Sequence, residues 1–344
     1  MNRDVIDLLA CPSCKGTLRP SPPLQPCTTT VTEGALRCDC GISYPVEHGI
    51  PHLLPKLLRT GGALDHDGAP SALHLQGANG RTCLLCRCSL PQGVRAELCR
   101  KCTAFLLEQG LNKARLAQLY EALENRGESN THTDYTLSDL FVEWLAKNRP
   151  KEARILEMGC GGGYLAEAIR REGFHNLLAS DFNAGVVETA VARFPALQGV
   201  VMDSEVLGLA TGSVDCIVSV EMVEHLLDPQ QHFHEVARVL KPGGVYLLRT
   251  PNYLAASVYY RWSGRYDMGV WHPSTFSSAT LQRSLERHGL RVEHLPPRVL
   301  PKSQQEKLPK LLKFLARVPL QRVPLALRPS ICVAATKVPA APSA

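Results

Sequence analysis

Apolar residues follow two rhythms along this chain. From Ala153 onward, short solid apolar runs alternate with stretches in which apolar residues recur every third or fourth position. The runs read as strands buried on both faces and the stretches as helices that cover them, the pattern of a doubly wound α/β sheet. Seven strands are expected, at 154–158, 177–180, 199–202, 212–220, 245–249, 291–295 and 331–336, the last hairpinned against the sixth. Leu165, Ala168 and Ile169 open the first helical stripe, and Asn183 can cap the next helix, with Pro195 just past its end. Val236, Val239 and Leu240 mark a later helix, and Leu281, Leu285 and Gly289 the last.

Before Ala153 the rhythm is broken. Leucines at 106, 107, 111, 116, 119 and 123 keep roughly helical spacing, but Gly110 interrupts them, so two short helices or one kinked helix are expected. The polar stretch 125–133 ends that pattern, and Leu137, Leu140, Phe141, Trp144 and Leu145 mark the helix before the core. Residues 59–80 hold five glycines with little periodicity and read as a linker. Near the end, Leu308, Leu311, Leu312 and Leu315 form a short stripe among basic residues, readable as a lid on the domain or as a helix lying on anionic membrane. The boundaries that follow are 1–57 for a first small module, 58–80 for a linker, 81–103 for a second module, 104–133 for a helical connector, 134–338 for the sheet domain and 339–344 for a tail.

Composition changes this picture at one point. A chain of 344 residues with 44% hydrophobic and 20% charged residues has ample material for a core, and a net charge of +6 permits an acidic partner without demanding one. No apolar run is long enough to span a bilayer, and Met1-Asn2-Arg3-Asp4 does not open a signal pattern. Thirteen cysteines remain to be explained. In the cytoplasmic, reducing setting this implies, clustered cysteines read as metal ligands. Cys83-Leu84-Leu85-Cys86 and Cys99-Arg100-Lys101-Cys102 bracket a Pro91-Gln92-Gly93 turn at four-thiolate zinc spacing, with Cys88 an extra thiol. Cys11-Pro12-Ser13-Cys14 and Cys38-Asp39-Cys40 form a second set; its latter pair is one residue short, so Cys27 is a substitute candidate. The stretch LLACPSCKGTL followed by LRCDCGISYPVEHGIPHLLP resembles the small zinc-ribbon protein that partners and activates several RNA and translation-factor methyltransferases. Two structural Zn²⁺ ions are thus expected, on Cys11, Cys14, Cys38 and Cys40 and on Cys83, Cys86, Cys99 and Cys102. Arginines at 81, 87, 95 and 100 and Lys101 lie among the cysteines; they can touch phosphates or simply stay solvated.

The first strand of the sheet domain runs into Glu157-Met158-Gly159-Cys160-Gly161-Gly162-Gly163, a turn whose bare backbone and following helix N-terminus invite a ligand. Its order, acid-x-G-x-G-x-G, resembles motif I of the Rossmann-like S-adenosylmethionine (SAM) methyltransferases. Asp181 and Asp203 stand at the next two strand ends, and an acid at the second can accept both hydrogen bonds of a ribose diol. SVDCIVSVEMVEHLLDP and LKPGGVYLLRTPN resemble the small-molecule branch of that family. The resemblance implies that Glu157, Gly159, Cys160, Gly161, Gly163, Asp181, Phe182, Asp203, Ser204 and Glu221 surround SAM.

After the fourth strand the chain carries Glu221-Met222-Val223-Glu224-His225 where amine-directed nucleic-acid methyltransferases commonly carry Asn/Asp-Pro-Pro-aromatic, which argues against base N-methylation by that route. Glu221, Glu224 and His225 are the catalytic candidates. On one helical face two carboxylates and an imidazole can bind a divalent metal, and the stretch resembles the Glu-x-x-Glu-His of ubiquinone-pathway and small-RNA O-methyltransferases, where it binds Mg²⁺. Alternatively His225 is a base without metal; His232, His234 and His272 are further ligand candidates. The aromatic-rich segment from Tyr253 to Phe276 is a candidate acceptor pocket. The leading expectation is a SAM-dependent methyltransferase acting on an oxygen of a small molecule, lipid or glycan, with peripheral membrane contact open. Two alternatives remain: an RNA methyltransferase whose ribbons grip RNA, and a non-catalytic zinc scaffold for a partner methyltransferase.

Overall fold

The computed structural model describes residues 1–23, 30–55, 58, 81–124, 138–295, 300, 305 and 318–339. Cys27, nearly all of the expected linker, the Leu308–Leu315 stripe and all but the first residue of the tail lie outside the described residues.

The N-terminal module is a short helix α1 (Arg3–Ile6) and four antiparallel strands, β1 (Leu18–Ser21), β2 (Gly34–Cys38), β3 (Ser43–Glu47) and β4 (Ile50–Pro51), in the order β1-β2-β3-β4. Among the described residues the second module has no sheet of its own, but it repeats the first module's cysteine knuckle. In one, the Cys11 N–H donates to Gly16 O and the Lys15 N–H to Cys11 O; in the other, the Cys83 N–H donates to Cys88 O and the Arg87 N–H to Cys83 O. Lys15 and Arg87 both sit at φ 61°, the left-handed turn that closes each knuckle. Cys88 occupies the place of Gly16, at the knuckle's exit. Helix α2 (Arg100–Phe105) starts at Cys99 and continues through a π-helical turn, Leu106–Gly110, and helix α3 (Lys113–Glu124) follows. The break that Gly110 foretold is therefore real: two helices joined through a wide turn.

The sheet domain opens with α4 (Ser138–Asn148), then runs β5 (Ile155–Met158), α5 (Tyr164–Arg171), β6 (Leu177–Asp181), α6 (Ala184–Arg193), β7 (Gln198–Val201), β8 (Val214–Val220), α7 (Pro229–Val239), β9 (Leu240–Pro251), α8 (Tyr253–Trp262), α9 (Met268–Trp271), α10 (Ser278–Arg287), β10 (Leu290–His294) and β11 (Ser330–Lys337). The seven strands form one sheet, β10-β11-β9-β8-β5-β6-β7. β5 to β9 are mutually parallel, and β11 inserts antiparallel between β9 and β10. The expected hairpin of the last two strands is present, but β11 also pairs with β9, so it closes the sheet rather than hanging on its edge. The fifth strand begins earlier than its apolar run: β9 starts at Leu240 and takes in Lys241 to Gly244 through a register irregularity between Val214 and Cys216 on its neighbour.

Both modules pack on this domain. Edge strand β7 would otherwise offer unpaired backbone groups to solvent. The Leu53 N–H donates to Val201 O at 2.7 Å, and His52 bridges Val201 in parallel register, so the first module caps that edge. Leu9, Leu36, Tyr44 and Leu53 share one apolar cluster with Leu156, Leu207, Phe233 and Val236 of the sheet domain. Lys15 meets buried Glu235 at 2.8 Å. The second module packs elsewhere: Leu84, Leu98, Leu106 and Leu119 cluster with Met268, Val270 and Trp271 of the segment after β9. Asp267, buried to 1% exposure, joins them, accepting from the Glu97 N–H (2.7 Å), the Leu98 N–H (3.2 Å) and Trp271 Nε1 (2.9 Å).

Candidate active site

The glycine turn lies between the carboxyl ends of β5 and β6, where open α/β sheets bind ligands. The Cys160 N–H donates to Ser180 O at 2.9 Å, and the Gly161 N–H to Asp181 Oδ2 at 3.3 Å, which ties the turn to the neighbouring strand tip. Gly159 stands at φ 71°, and a Cβ there would lie 2.9 Å from Met222 Cγ. Gly163, at φ 77°, starts α5 against Ala190. Around Gly161, by contrast, no heavy atom lies within 4 Å of a Cβ position, so the turn presents bare backbone to open space.

Carboxylates rim that space. Glu157 is buried, and its Oε2 has no hydrogen-bond partner among the described residues. Burial pushes its carboxyl well above the usual range, and the nearby Asp181 charge adds to this. Burial also raises Asp181, against the N–H groups of Asn183, Gly161 and Phe182 that favour its charged form. The Ala166 N–H offsets part of the Glu157 shift, but a buried carboxyl oxygen without a partner is costly unless a ligand satisfies it, and a cationic, hydrogen-bonding molecule on Gly161 would do so. Asp203 accepts from the Glu205 N–H at 2.8 Å, and Lys113 of α3 reaches it at 2.5 Å and Glu205 at 2.7 Å. Cys160 is buried with its thiol pushed up by burial, so it is no thiolate nucleophile. Phe182 packs half-buried beside Asp181, and Ser204 O accepts from His232 Nδ1 at 2.7 Å. Of the ten residues expected around SAM, the structure gathers the loop glycines, Cys160, Glu157, Asp181 and Phe182 tightly; Asp203 comes with a lysine already on it.

On the other side of the turn, Glu221 and Glu224 do not share a helical face as their spacing suggested. Glu221 sits at φ 54°, before a three-residue 3₁₀ turn, Val223–His225, and its carboxylate points to Arg249 at 3.5 Å. The group that converges is Glu224, His225 and His272, whose ligand atoms lie within 4.8 Å of one another. Glu224 is buried; Thr250 Oγ1 donates to its Oε2 at 2.9 Å, and its Oε1 has no hydrogen-bond partner among the described residues. Burial holds this carboxyl far above its usual range, and the Glu221 charge pushes the same way. His272 meets His225 edge-on at 4.6 Å, and Tyr260 Oη lies 2.7 Å from His272 Nδ1. His225 Nδ1 lies 2.8 Å from Trp271 O and 2.6 Å from Tyr120 Oη. The donor set of one carboxylate and two imidazoles could hold a divalent cation, though imidazoles suit zinc or iron better than Mg²⁺. His232 is elsewhere, in the core between Ser204 O and Tyr246 Oη, and His234 is exposed on α7.

Lys113 and Tyr120 were not foreseen. Lys113 and Tyr120 lie in a stretch whose only local signal is leucine spacing, and nothing in that spacing points across the chain at Asp203 or His225. Tyr260 was visible only as one ring of an aromatic-rich segment.

The cysteines form two tetrads, each with its four sulfurs within 4.8 Å: Cys11, Cys14, Cys38 and Cys40, and Cys83, Cys86, Cys99 and Cys102. Tetrahedral zinc at about 2.3 Å from each sulfur sets sulfurs about 3.8 Å apart. Cys11–Cys40 and Cys86–Cys99 stand at 3.7 Å and Cys14–Cys38 at 3.3 Å, so the thiol sets fit that ion. The shortened Cys38-Asp39-Cys40 knuckle supplies both its thiols.

Sheet order, glycine turn and strand-end acids define a Rossmann-like methyltransferase domain. Residues 129–295 match the model of the methyltransferase domain family, and residues 2–49 that of the Trm112p-like proteins. The region 129–295 is a methyltransferase domain of the SAM-dependent class, joined in one chain to a Trm112p-like domain. A protein of Mycolicibacterium smegmatis described as "Probable S-adenosylmethionine-dependent methyltransferase" is 34% identical over 140 residues, 40% of this chain and 52% of that protein. The ubiquinone biosynthesis O-methyltransferase of Erwinia tasmaniensis is 34% identical over 127 residues, 34% of this chain and 51% of that one. The chain thus spans about half the length of the curated relatives it matches. A chain in a complex of the Haloferax volcanii Trm112 methyltransferase activator with a methyltransferase aligns at TM-score 0.48 and 18% identity, over 64% of this chain and 97% of that one. Among the described residues no helix is long and apolar enough to cross a membrane.

Proposed function

We propose that the whole chain is a SAM-dependent methyltransferase that methylates an oxygen of a small molecule, lipid or glycan, with two zinc ions holding its modules. The observation that carries this is the buried Glu157 carboxylate with an unpartnered Oε2, set beside the open backbone of Gly161 and the Asp181 carboxylate. SAM bound there supplies an electrophilic methyl on a sulfonium, so the donor needs no further activation. Glu157 and Asp181 take the cofactor's hydrogen-bond donors, and Gly159 and Gly161 let it approach the backbone. Asp203 and Ser204 lie at the next strand end, toward the adenine. On the acceptor side, the hydroxyl proton must leave as the new C–O bond forms and the C–S bond breaks. His225 is the group placed to take that proton, with Glu224 and His272 beside it. A divalent cation held by the same three residues would lower the hydroxyl's pKa instead.

One observation argues against one RNA route, methylation of a base amine. The strand-four tip lacks the Asn/Asp-Pro-Pro-aromatic sequence. Among the basic residues of the cysteine modules, Lys15 pairs with Glu235, Arg81 with Glu97 and Arg95 with Tyr259 Oη, and Arg100 lies over the Tyr266 ring, while Arg37, Arg87 and Lys101 are exposed. The test is methyl-labelled SAM incubated with the protein and cell extract, then fractionated into RNA, protein, lipid and small-molecule pools. Label recovered as a methyl ether in the lipid, glycan or small-molecule pool supports the reading. Label in RNA overturns the acceptor assignment, and calorimetry without S-adenosylhomocysteine binding overturns the enzyme assignment.

A further inference from the structure

Helix α3 belongs to neither the turn after β7 nor the strand-four tip, yet it touches both. At its start, Lys113 bonds Asp203 and Glu205 at 2.5 and 2.7 Å. Two turns on, Tyr120 reaches the acceptor side, where three contacts form a triangle: Tyr120 Oη to His225 Nδ1 at 2.6 Å, His225 Nδ1 to Trp271 O at 2.8 Å, and Tyr120 Oη to Trp271 O at 3.2 Å. A carbonyl oxygen only accepts, so the arrangement closes in one way. His225 Nδ1 carries the proton and donates to Trp271 O and to the phenol oxygen, while the phenol O–H donates to Trp271 O. In the neutral ring Nε2 is then the basic nitrogen. The Tyr120 ring also lies edge-on to His225 at 5.6 Å and to Trp271 at 5.4 Å, so it limits rotation of the imidazole, whose tautomer the Trp271 carbonyl sets.

We propose that Tyr120 is a positioning residue for methyl transfer: through this triangle it holds His225 with Nε2 toward the acceptor, and the second cysteine module delivers it. The delivery follows from packing. Leu119, the residue before Tyr120, shares an apolar cluster with Cys83, Leu84, Leu98, Cys102 and Trp271. The module that precedes α3 and the segment that carries Trp271 thus share one apolar cluster with the helix, and Asp267 joins those two to each other. The chain's second cysteine module therefore sets acceptor-side geometry. The proposal rests on the reading of His225 as an acceptor-side group.

The test compares the full chain with its Y120F variant, which keeps the ring and removes the hydroxyl. S-adenosylhomocysteine affinity by calorimetry should stay within about twofold. Turnover on the extract fraction that the wild type labels should fall about 10–100-fold with KM for SAM little changed, the size typical of losing a partner that orients a functional imidazole. In ¹⁵N-histidine spectra, with His225 assigned by an H225N variant, the wild type should show a protonated Nδ1 and a bare Nε2, and Y120F should keep that tautomer through Trp271 O while its Nδ1 resonance shifts and broadens. Unchanged ¹⁵N shifts with turnover within twofold of wild type would overturn the proposal. Should Y120F unfold the module, K113M replaces it: that variant keeps the phenol but frees the helix from Asp203 and Glu205, and the same ¹⁵N criterion applies. A wild-type chain that binds no S-adenosylhomocysteine defeats the enzyme reading instead, an outcome separable from either of these.

Discussion

Asp267 lets the attachment of the second cysteine module be weighed. Asp267→Ala removes one acceptor oxygen and strands three donors at once: the Glu97 N–H, the Leu98 N–H and Trp271 Nε1, at 2.7, 3.2 and 2.9 Å. Leu98 is fully buried, and Glu97 and Trp271 are 7% and 6% exposed, so water cannot easily replace the carboxylate. A stranded buried donor costs about 1–3 kcal/mol, and relief from burying a charge offsets part of the sum. A net loss of about 3–6 kcal/mol follows for docking the module on the 253–271 segment. Asp267→Asn keeps an oxygen for the three donors but loses charge assistance, and it puts an amide where Oδ1 now has no hydrogen-bond partner among the described residues; its cost is about 1–3 kcal/mol. Hydrogen exchange read by mass spectrometry on peptides covering 95–99 checks both. At 1.4 kcal/mol per tenfold, the alanine variant should exchange there about 10²–10⁴ times faster, with the β5–β8 strands unaffected. Exchange within threefold of wild type in the alanine variant would refute the view that Asp267 fastens the module.

Three further outcomes are expected. Burial holds His232 down to about 4 from an ordinary 6.5, so the unfolded chain takes up a proton below 6.5 while the folded chain does not. Its contribution to stability is full above pH 6.5 and falls by about 3 kcal/mol as pH drops to 4, and urea melts of wild type and His232→Gln across that window should show the slope and its loss. For Glu157 the sign reverses: its folded carboxyl is raised, so stability present below the unfolded value near 4.5 is lost as pH rises through the folded value. Glu157→Gln should therefore melt no lower than wild type near neutral pH, yet bind S-adenosylhomocysteine at least about tenfold more weakly, since a hydrogen bond to a charged group is worth about 1.5–3 kcal/mol; unchanged affinity by calorimetry would remove Glu157 from the cofactor site. Metal analysis of the pure chain should count two zinc ions, and Cys99→Ser should lower the count to one while leaving the first tetrad loaded.

Much of this molecule can be read in its residues because the relevant physics is local. Solid apolar runs specify strands buried on both faces, and each expected run lies in a strand, with ends shifted by a few residues. Cysteine spacing fixes which thiols a knuckle can bring together, and both tetrads contain the residues that spacing picked out. Glycines at alternate positions before a helix leave backbone bare, and Gly161 faces open space. Where local reasoning failed, a backbone detail intervened. Helical spacing joined Glu221 to Glu224, but a left-handed residue at 221 breaks the periodicity before it starts and sends the carboxylate to Arg249.

The remainder belongs to tertiary structure. Tyr120 and His225 are 105 positions apart, Lys113 and Asp203 90 apart, and Glu97 and Asp267 170 apart. No periodicity or spacing couples such residues, because nothing local is gained by their identities; each becomes meaningful only when α3 and the cysteine modules pack on the sheet. Composition and pattern alone thus determined a glycine-lined, acid-rimmed sheet domain with two thiol modules. Which residues close over its strand-four tip was decided by burial. Hydrogen-bond donors and acceptors taken out of water must find partners wherever the fold brings one near, and here the fold brought those partners from a helix that the sequence marked only by its leucines.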